Sequence, residues 1–292
     1  ASIGSFLVRG FELGVDFKGG YSYNVEIMEE VDAQELRATL SETFGMEPVV
    51  KAVNADNTFN VVTSYKINET GEEVANEVQK KLYDGIVGLT GSTVSYDDFS
   101  DPDSEVTRVI SSSKVGPTIA DDIKTSAFYA GIFALLLIFL YIFLRFSKPQ
   151  YSLGAVAALF HDSIIVLGLF SILHGIVPFS LEIDQAFIAA LLTVIGYSIN
   201  DTVVVFDRIR EYLNSYTSKS KEEVINIAAN NTISRTIITS LTTIFVVAVL
   251  FVFGGTSIRG FAFALLVGIV VGTYSSVFVA TPIMSDLSGN LE

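Results

Sequence analysis

From Ala127 to Leu144 the chain runs for 18 residues without a charged side chain. At about 1.5 Å per residue, a helix of that length crosses most of the hydrocarbon of a bilayer. Four further runs follow at 151–174, 186–206, 236–254 and 261–283, and their only acidic or basic side chains besides histidine are Asp162 and Asp201. Backbone polar groups find no water in a membrane, so these runs are expected to be helices packed as a bundle. Composition agrees, since half of the 292 residues are hydrophobic and only 17% are charged.

Charge is unevenly placed. The net charge is −14, and all but two of those negative units fall within residues 1–124. An acidic surface of that kind is repelled by phosphates, which argues against nucleic acid as a partner. The absence of cysteine excludes disulfides and thiolate metal sites.

Residues 14–124 alternate strand and helix signals. Tyr21–Ile27 reads as a strand, Asp32–Phe44 as a helix with Asp32 as N-cap, and Pro48–Val53 and Phe59–Tyr65 as two strands around the turn at 54–57. Gly71–Tyr83 has helical spacing, and Thr93–Phe99 and Val106–Ser113 return to strand character. The order βαββαβ is that of a ferredoxin-like α+β sandwich. The expected division is a leading segment at 1–13, an α+β domain at 14–124 and a membrane bundle at 125–292.

Arginine and lysine orient the spans. Arg145, Lys148, Arg208, Arg210, Lys219, Lys221 and Arg235 cluster at one set of loops and helix ends, while the opposite loops carry only Arg259. The basic side is expected to be cytoplasmic, with residues 1–124 outside and the C-terminus inside.

An ionisable residue inside a span costs on the order of 2.5–3.5 kcal/mol on insertion scales and is a functional hypothesis by default. Asp201 is such a residue, with Tyr197 and Ser198 on its helical face. Arg235 opens the next span at the same side of the membrane, so a pairing of the two is geometrically reasonable. A static ion pair and a carboxylate that exchanges a proton are both open at this level. Asp162 falls near the midplane of its own helix, on the face of Gly154 and Ala158, and is the second candidate. His161 points about 100° away from it. Residues at four-residue spacing in the last span, Gly260, Ala264, Gly268, Gly272, Ser276 and Ala280, suit close approach by a sister helix or a partner subunit. No phosphate-binding loop, nucleophile elbow or zinc-protease helix is present, so an ion gradient is the available energy supply.

Several segments together resemble the SecD and SecF protein-export subunits. Gly14-Val15-Asp16-Phe17-Lys18-Gly19-Gly20 is similar to their G-[IV]-D-F-x-G-G signature, and Val115-Gly116-Pro117 to their V-G-P motif. Ala158–Asp162 resembles the third-helix H-D element of SecF. Gly196–Glu211, with Gly196, Asn200, Asp201, Asp207 and Arg208, resembles the fourth-helix signature, and Ser234-Arg235-Thr236 the start of the fifth helix. The resemblance implies a membrane helical bundle like that of resistance-nodulation-division transporters, showing five spans of an expected six, and a further span before Ala1. It implies a bacterial inner-membrane accessory of protein export, not an enzyme, driven by protons with Na⁺ left open and needing no cofactor. The implied partners are SecD, separate or fused, the SecYEG channel and the preprotein. Asp201 and Arg235 match the proton-coupling pair of the family. A small-molecule or lipid exporter of the same superfamily is the alternative, disfavoured by the small size of the α+β domain.

Overall fold

The computed structural model describes residues 2–53, 57–174, 176–177, 179–255 and 258–289. Of the expected turn at 54–57, residues 54–56 lie outside the described residues. The chain divides into two compact units, one of residues 13–125 with 177–184, the other of residues 1–12, 126–176 and 185–292.

In chain order, α1 (Ser2–Arg9) belongs to the helical unit, and α2 (Val15–Lys18), β1 (Gly20–Glu26), α3 (Ala33–Phe44), β2 (Val49–Ala52), β3 (Thr58–Thr63), α4 (Glu72–Thr90), α5 (Tyr96–Ser100) and β4 (Arg108–Val115) belong to the α+β unit. The sheet order is β2-β3-β1-β4 and each neighbouring pair is antiparallel. This is the ferredoxin-like arrangement expected from βαββαβ. Alternation along the strands sends Tyr21, Tyr23, Val25, Phe59, Val61 and Val109 into one core with Leu36, Leu40, Phe44, Val78, Leu82 and Ile86 of α3 and α4. Asp32 caps α3, accepting from the amides of Gln34 and Glu35.

Two expectations change. The segment 93–99 is not a strand. Ser95 accepts from the Asp98 amide at 3.1 Å and starts the short helix α5, whose Phe99 is buried edge-on against Tyr83. Residues 177–184, expected to be a plain connection within the bundle domain, are instead part of the α+β unit. Leu13 and Ile183 form a parallel bridge, the Gly14 amide donates to the Ile183 carbonyl at 2.9 Å, and Lys51 pairs with Glu182. The motif at 14–20 builds the turn into β1. Phe17 is buried, while Gly19 and Gly20 hold φ of 72° and 152°, with the Val115 and Thr63 carbonyls against their open sides. A side chain at either position would be strained.

Burial, followed by Tyr21 and Tyr96, holds the Tyr23 phenol above its ordinary value of 10.0. The folded state therefore favours the neutral phenol. That stabilisation is complete below the unfolded value and is lost as pH rises towards the folded one. Thermal denaturation of the full chain should show stability falling above about pH 10, with a shallower fall in Tyr23→Phe.

The helical unit contains α6 (Pro117–Phe146, from Ser126 onward), α7 (Pro149–Leu173), α8 (Gln185–Ser215), α9 (Lys221–Phe253), α10 (Arg259–Ser275), a π-helical segment (Ser276–Ala280) and α11 (Thr281–Gly289). Among the described residues, five helices, the last formed by α10 through α11, are long and apolar enough to cross a membrane. They extend beyond the expected runs because their polar ends continue the helical ladder. The leading segment forms α1, which docks on α7. Ser5 meets Ser171 at 2.7 Å, and Arg9 donates to the Ile172 and His174 carbonyls, a cation on the terminal carbonyls of a helix.

The small-residue stripe faces the sister helices α8 and α7. A Cβ at Gly268 would stand 2.2 Å from a Val194 methyl, one at Gly272 would stand 2.9 Å from Ser198 Cβ, and Gly154 meets the Ala280 carbonyl. Gly268→Ala should therefore lower stability by about 1–3 kcal/mol through overpacking. Thermal unfolding in detergent checks this, and adding Val194→Ala should restore part of the loss.

Candidate polar site within the helical bundle

Glycine at 272 lets α8 approach α10 closely enough for a buried set of polar side chains to meet. Asp162 of α7 is fully buried and richly bonded. Its Oδ2 accepts from Ser198 Oγ at 2.7 Å and Ser275 Oγ at 2.8 Å, and its Oδ1 lies 3.0 Å from His161 Nδ1. The two neighbours in sequence leave their helix in different directions, yet the imidazole folds back onto the carboxylate.

The π-helical segment explains why two consecutive serines both face inward. A π turn holds one residue more than an α turn, and the faces of the helix are redistributed beyond it. Ser275 reaches Asp162, while Ser276 Oγ lies 2.9 Å from Thr202 Oγ1 of α8. The Ser276 carbonyl accepts from Thr281 Oγ1, the first residue of α11, at 3.0 Å.

Asp201 is 4% exposed and sits in a poorer setting. Its Oδ2 accepts from Ser240 Oγ of α9 at 3.3 Å, and Ser240 Oγ lies 2.6 Å from Thr273 Oγ1 of α10. Tyr197, one turn away, donates to Thr243 Oγ1 at 3.3 Å. Arg235 is on α9 but exposed, and among the described residues no ion pair joins it to Asp201. It lines a cavity of about 380 Å³ with Val204, Asp207, Arg208, Glu211, Asn231 and Thr232. The residue opposite Asp201 is Ser240, five positions further along α9, because the short connection after α8 fixes how the two antiparallel helices align.

The remaining motif residues of α8 form ion pairs or are exposed. Asp207 bridges Arg145 at 2.9 Å and Arg210 at 2.8 Å, tying α6 to α8, and Arg208 pairs with Glu211. Gly196 and Asn200, one turn apart on α8, are exposed. Sequence reading overlooked Ser240, Thr273 and Ser275, and took Ser276 only as a small residue of the packing stripe. Their signal was available in part, as hydroxyl residues at helical spacing inside apolar runs.

Residues 97–290 match the family described as protein export membrane protein SecD/SecF, C-terminal, and residues 4–27 match the SecD/SecF GG motif. Protein translocase subunit SecF of Rhodothermus marinus is 49% identical over 98% of this chain and 86% of its own length. That of Desulfurispirillum indicum is 40% identical over 94% of this chain and 81% of its own. The crystal structure of SecDF, a translocon-associated membrane protein from Thermus thermophilus, matches with a TM-score of 0.80 at 33% identity. SecDF in a super-membrane-facing form matches at 0.65. The chain spans 36% of each SecDF chain, about a third of its length. With the match running through both units and over more than four-fifths of these two separate subunits, the chain belongs to the SecD/SecF family of protein-export membrane proteins, and within it to SecF.

Proposed function

We propose that this chain couples the proton-motive force to late-stage movement of preproteins through the Sec channel, with Asp201 as the group that takes up and releases the ion. Family membership gives the coarser statement, that it is an accessory subunit of Sec protein export and a multi-pass membrane protein. One observation carries the finer one. Among the described residues, two carboxylates are buried in the bundle, and Asp162 has three partners whereas Asp201 has a single long hydrogen bond. Buried charge is stable only when paired or well bonded. Asp162 therefore suits a fixed role holding α7, α8 and α10 together, and Asp201 suits a change of state.

Arg235 is the proposed partner in that change. It lies five residues, about 7.5 Å along α9, from Ser240, a distance that a long side chain swinging inward can cover. The proposed coupling ion is H⁺, with Na⁺ the other outcome of the test. The proposed assembly includes SecD, SecYEG and the preprotein, with the arginine-rich end and the C-terminus cytoplasmic and the α+β unit outside. A small-molecule or lipid exporter has less support, because the matched relatives are translocase subunits by name.

Export by vesicles, with and without an imposed proton or sodium gradient, tests the reading. Loss of gradient stimulation in Asp201→Asn with normal assembly supports it, and equal export in mutant and parent overturns it.

A further inference from the structure

Polar groups beyond the Asp201 site lead towards the arginine-rich end of the bundle. On α9, Thr232, Thr236 and Ser240 follow at four-residue intervals, and all three are buried. Four residues advance a helix by about 6 Å and return close to the same face, so the hydroxyls form a column about 12 Å long. Hydrogen bonds from Ser240 to Asp201, Tyr197 to Thr243 and Asn231 to Tyr212 fix the alignment of α8 and α9. That alignment sets Thr236 level with Val204 and Val205, one turn from Asp201.

The two ends of the column differ in kind. Ser240 donates to Asp201 at one end, and Thr232 lines the cavity that holds Arg235, Asp207, Arg208 and Glu211 at the other. Between them, Thr236 Oγ1 is buried with no hydrogen-bond partner among the described residues. Its neighbours behave otherwise, since Thr232, Thr239 and Thr243 each donate to a carbonyl one turn back. An unpaired buried hydroxyl is costly, and the residues one turn before and after it on α9, Thr232 and Ser240, both carry hydroxyls. The gap of about 6 Å between successive hydroxyls equals two hydrogen bonds of about 2.8 Å, the span of one bridging water.

We propose that the Thr232–Thr236–Ser240 column is a hydrated proton path from the cavity to Asp201, with Thr236 as its middle relay. Each hydroxyl accepts one proton and passes on another, so one proton moves and no heavy-atom bond changes. The ionisable groups along the way are Asp201, Asp207, Arg208 and Glu211 on α8 and Arg235 on α9, while α10 contributes the hydroxyl of Thr273. The proton-carrying role rests on the proposed function of Asp201. Hydration of the column does not.

Two measurements on the full chain, assembled in vesicles, separate these. The sequence has no cysteine, so Thr232→Cys, Thr236→Cys and Ile238→Cys each introduce a single thiol, the last on an exposed apolar surface. Thiolates form in water, so a water-soluble thiosulfonate should label the first two at rates within about tenfold of each other and the third about a hundredfold more slowly. Labelling at 232 without labelling at 236 overturns the hydrated path. In the second measurement, Thr236→Val should reduce gradient-stimulated export by about tenfold while Thr236→Ser retains it. Equal loss in both, or loss in neither, overturns the relay. If Asp201→Asn alone exports normally, the parent reading fails, and the labelling still judges the column.

Discussion

Asp201→Asn is expected to leave the fold intact and to reduce the gradient-stimulated part of export about tenfold or more. Asparagine has the shape of aspartate and can still accept from Ser240, as Asp201 does in this structure. Surface and near-isosteric changes of this kind cost little stability, within about 0.5–1 kcal/mol. What asparagine cannot do is change charge. One elementary charge crossing 100 mV releases about 2.3 kcal/mol, and a carrier fixed in the neutral state takes up none of it. The measurement is export rate in vesicles with the gradient present and then collapsed, alongside the thermal stability of the same variant. A variant that unfolds, or one that keeps its full response to the gradient, contradicts the expectation.

Asp162→Ala is expected to show the reverse pattern, with stability falling first. The substitution removes the acceptor for Ser198 and Ser275 and the partner of His161, on three helical elements. Interhelical hydrogen bonds in membranes average about 0.6 kcal/mol each, and leaving buried hydroxyls unpaired raises the cost. Their sum is about 2–3 kcal/mol, a fall of about 3–5 °C in the melting temperature. Asp162→Asn should fall between the two, since one oxygen still accepts. Melting in detergent, compared with gradient-dependent export, separates a residue that holds the bundle from one that moves charge.

The spans were legible because hydropathy over 18 residues needs no knowledge of partners. Their ends were not, because α8 continues for nine residues past Phe206 on polar side chains that still satisfy the helix. The α+β order was legible from period-two strands and from the Asp32 cap. Thr93–Phe99 misled because its β-forming residues compete with a capping serine followed by two aspartates, and the cap prevailed. Asp201 could be found from composition alone, as a charge in an apolar run. Its surroundings could not, since they depend on the rotation of three helices and on a π turn that no local pattern announces. Similar depth on consecutive helices suggested Arg235 beside Asp201, but Ser240 stands there, because the α8–α9 alignment is decided by a turn at 216–220.

The inclusion of residues 177–184 in the α+β unit has a mechanical meaning. A domain inserted once into a bundle hangs from two covalent connections and can swing like a gate. This unit is joined to the bundle at four points, after Glu12, Thr125, Ile176 and Asp184. The last of these is the first residue before α8, and Asp201 follows 17 residues later, about 25 Å along the same rigid rod. The α+β unit is thus tied by a covalent junction, Asp184 to Gln185, to the helix that carries the buried acid.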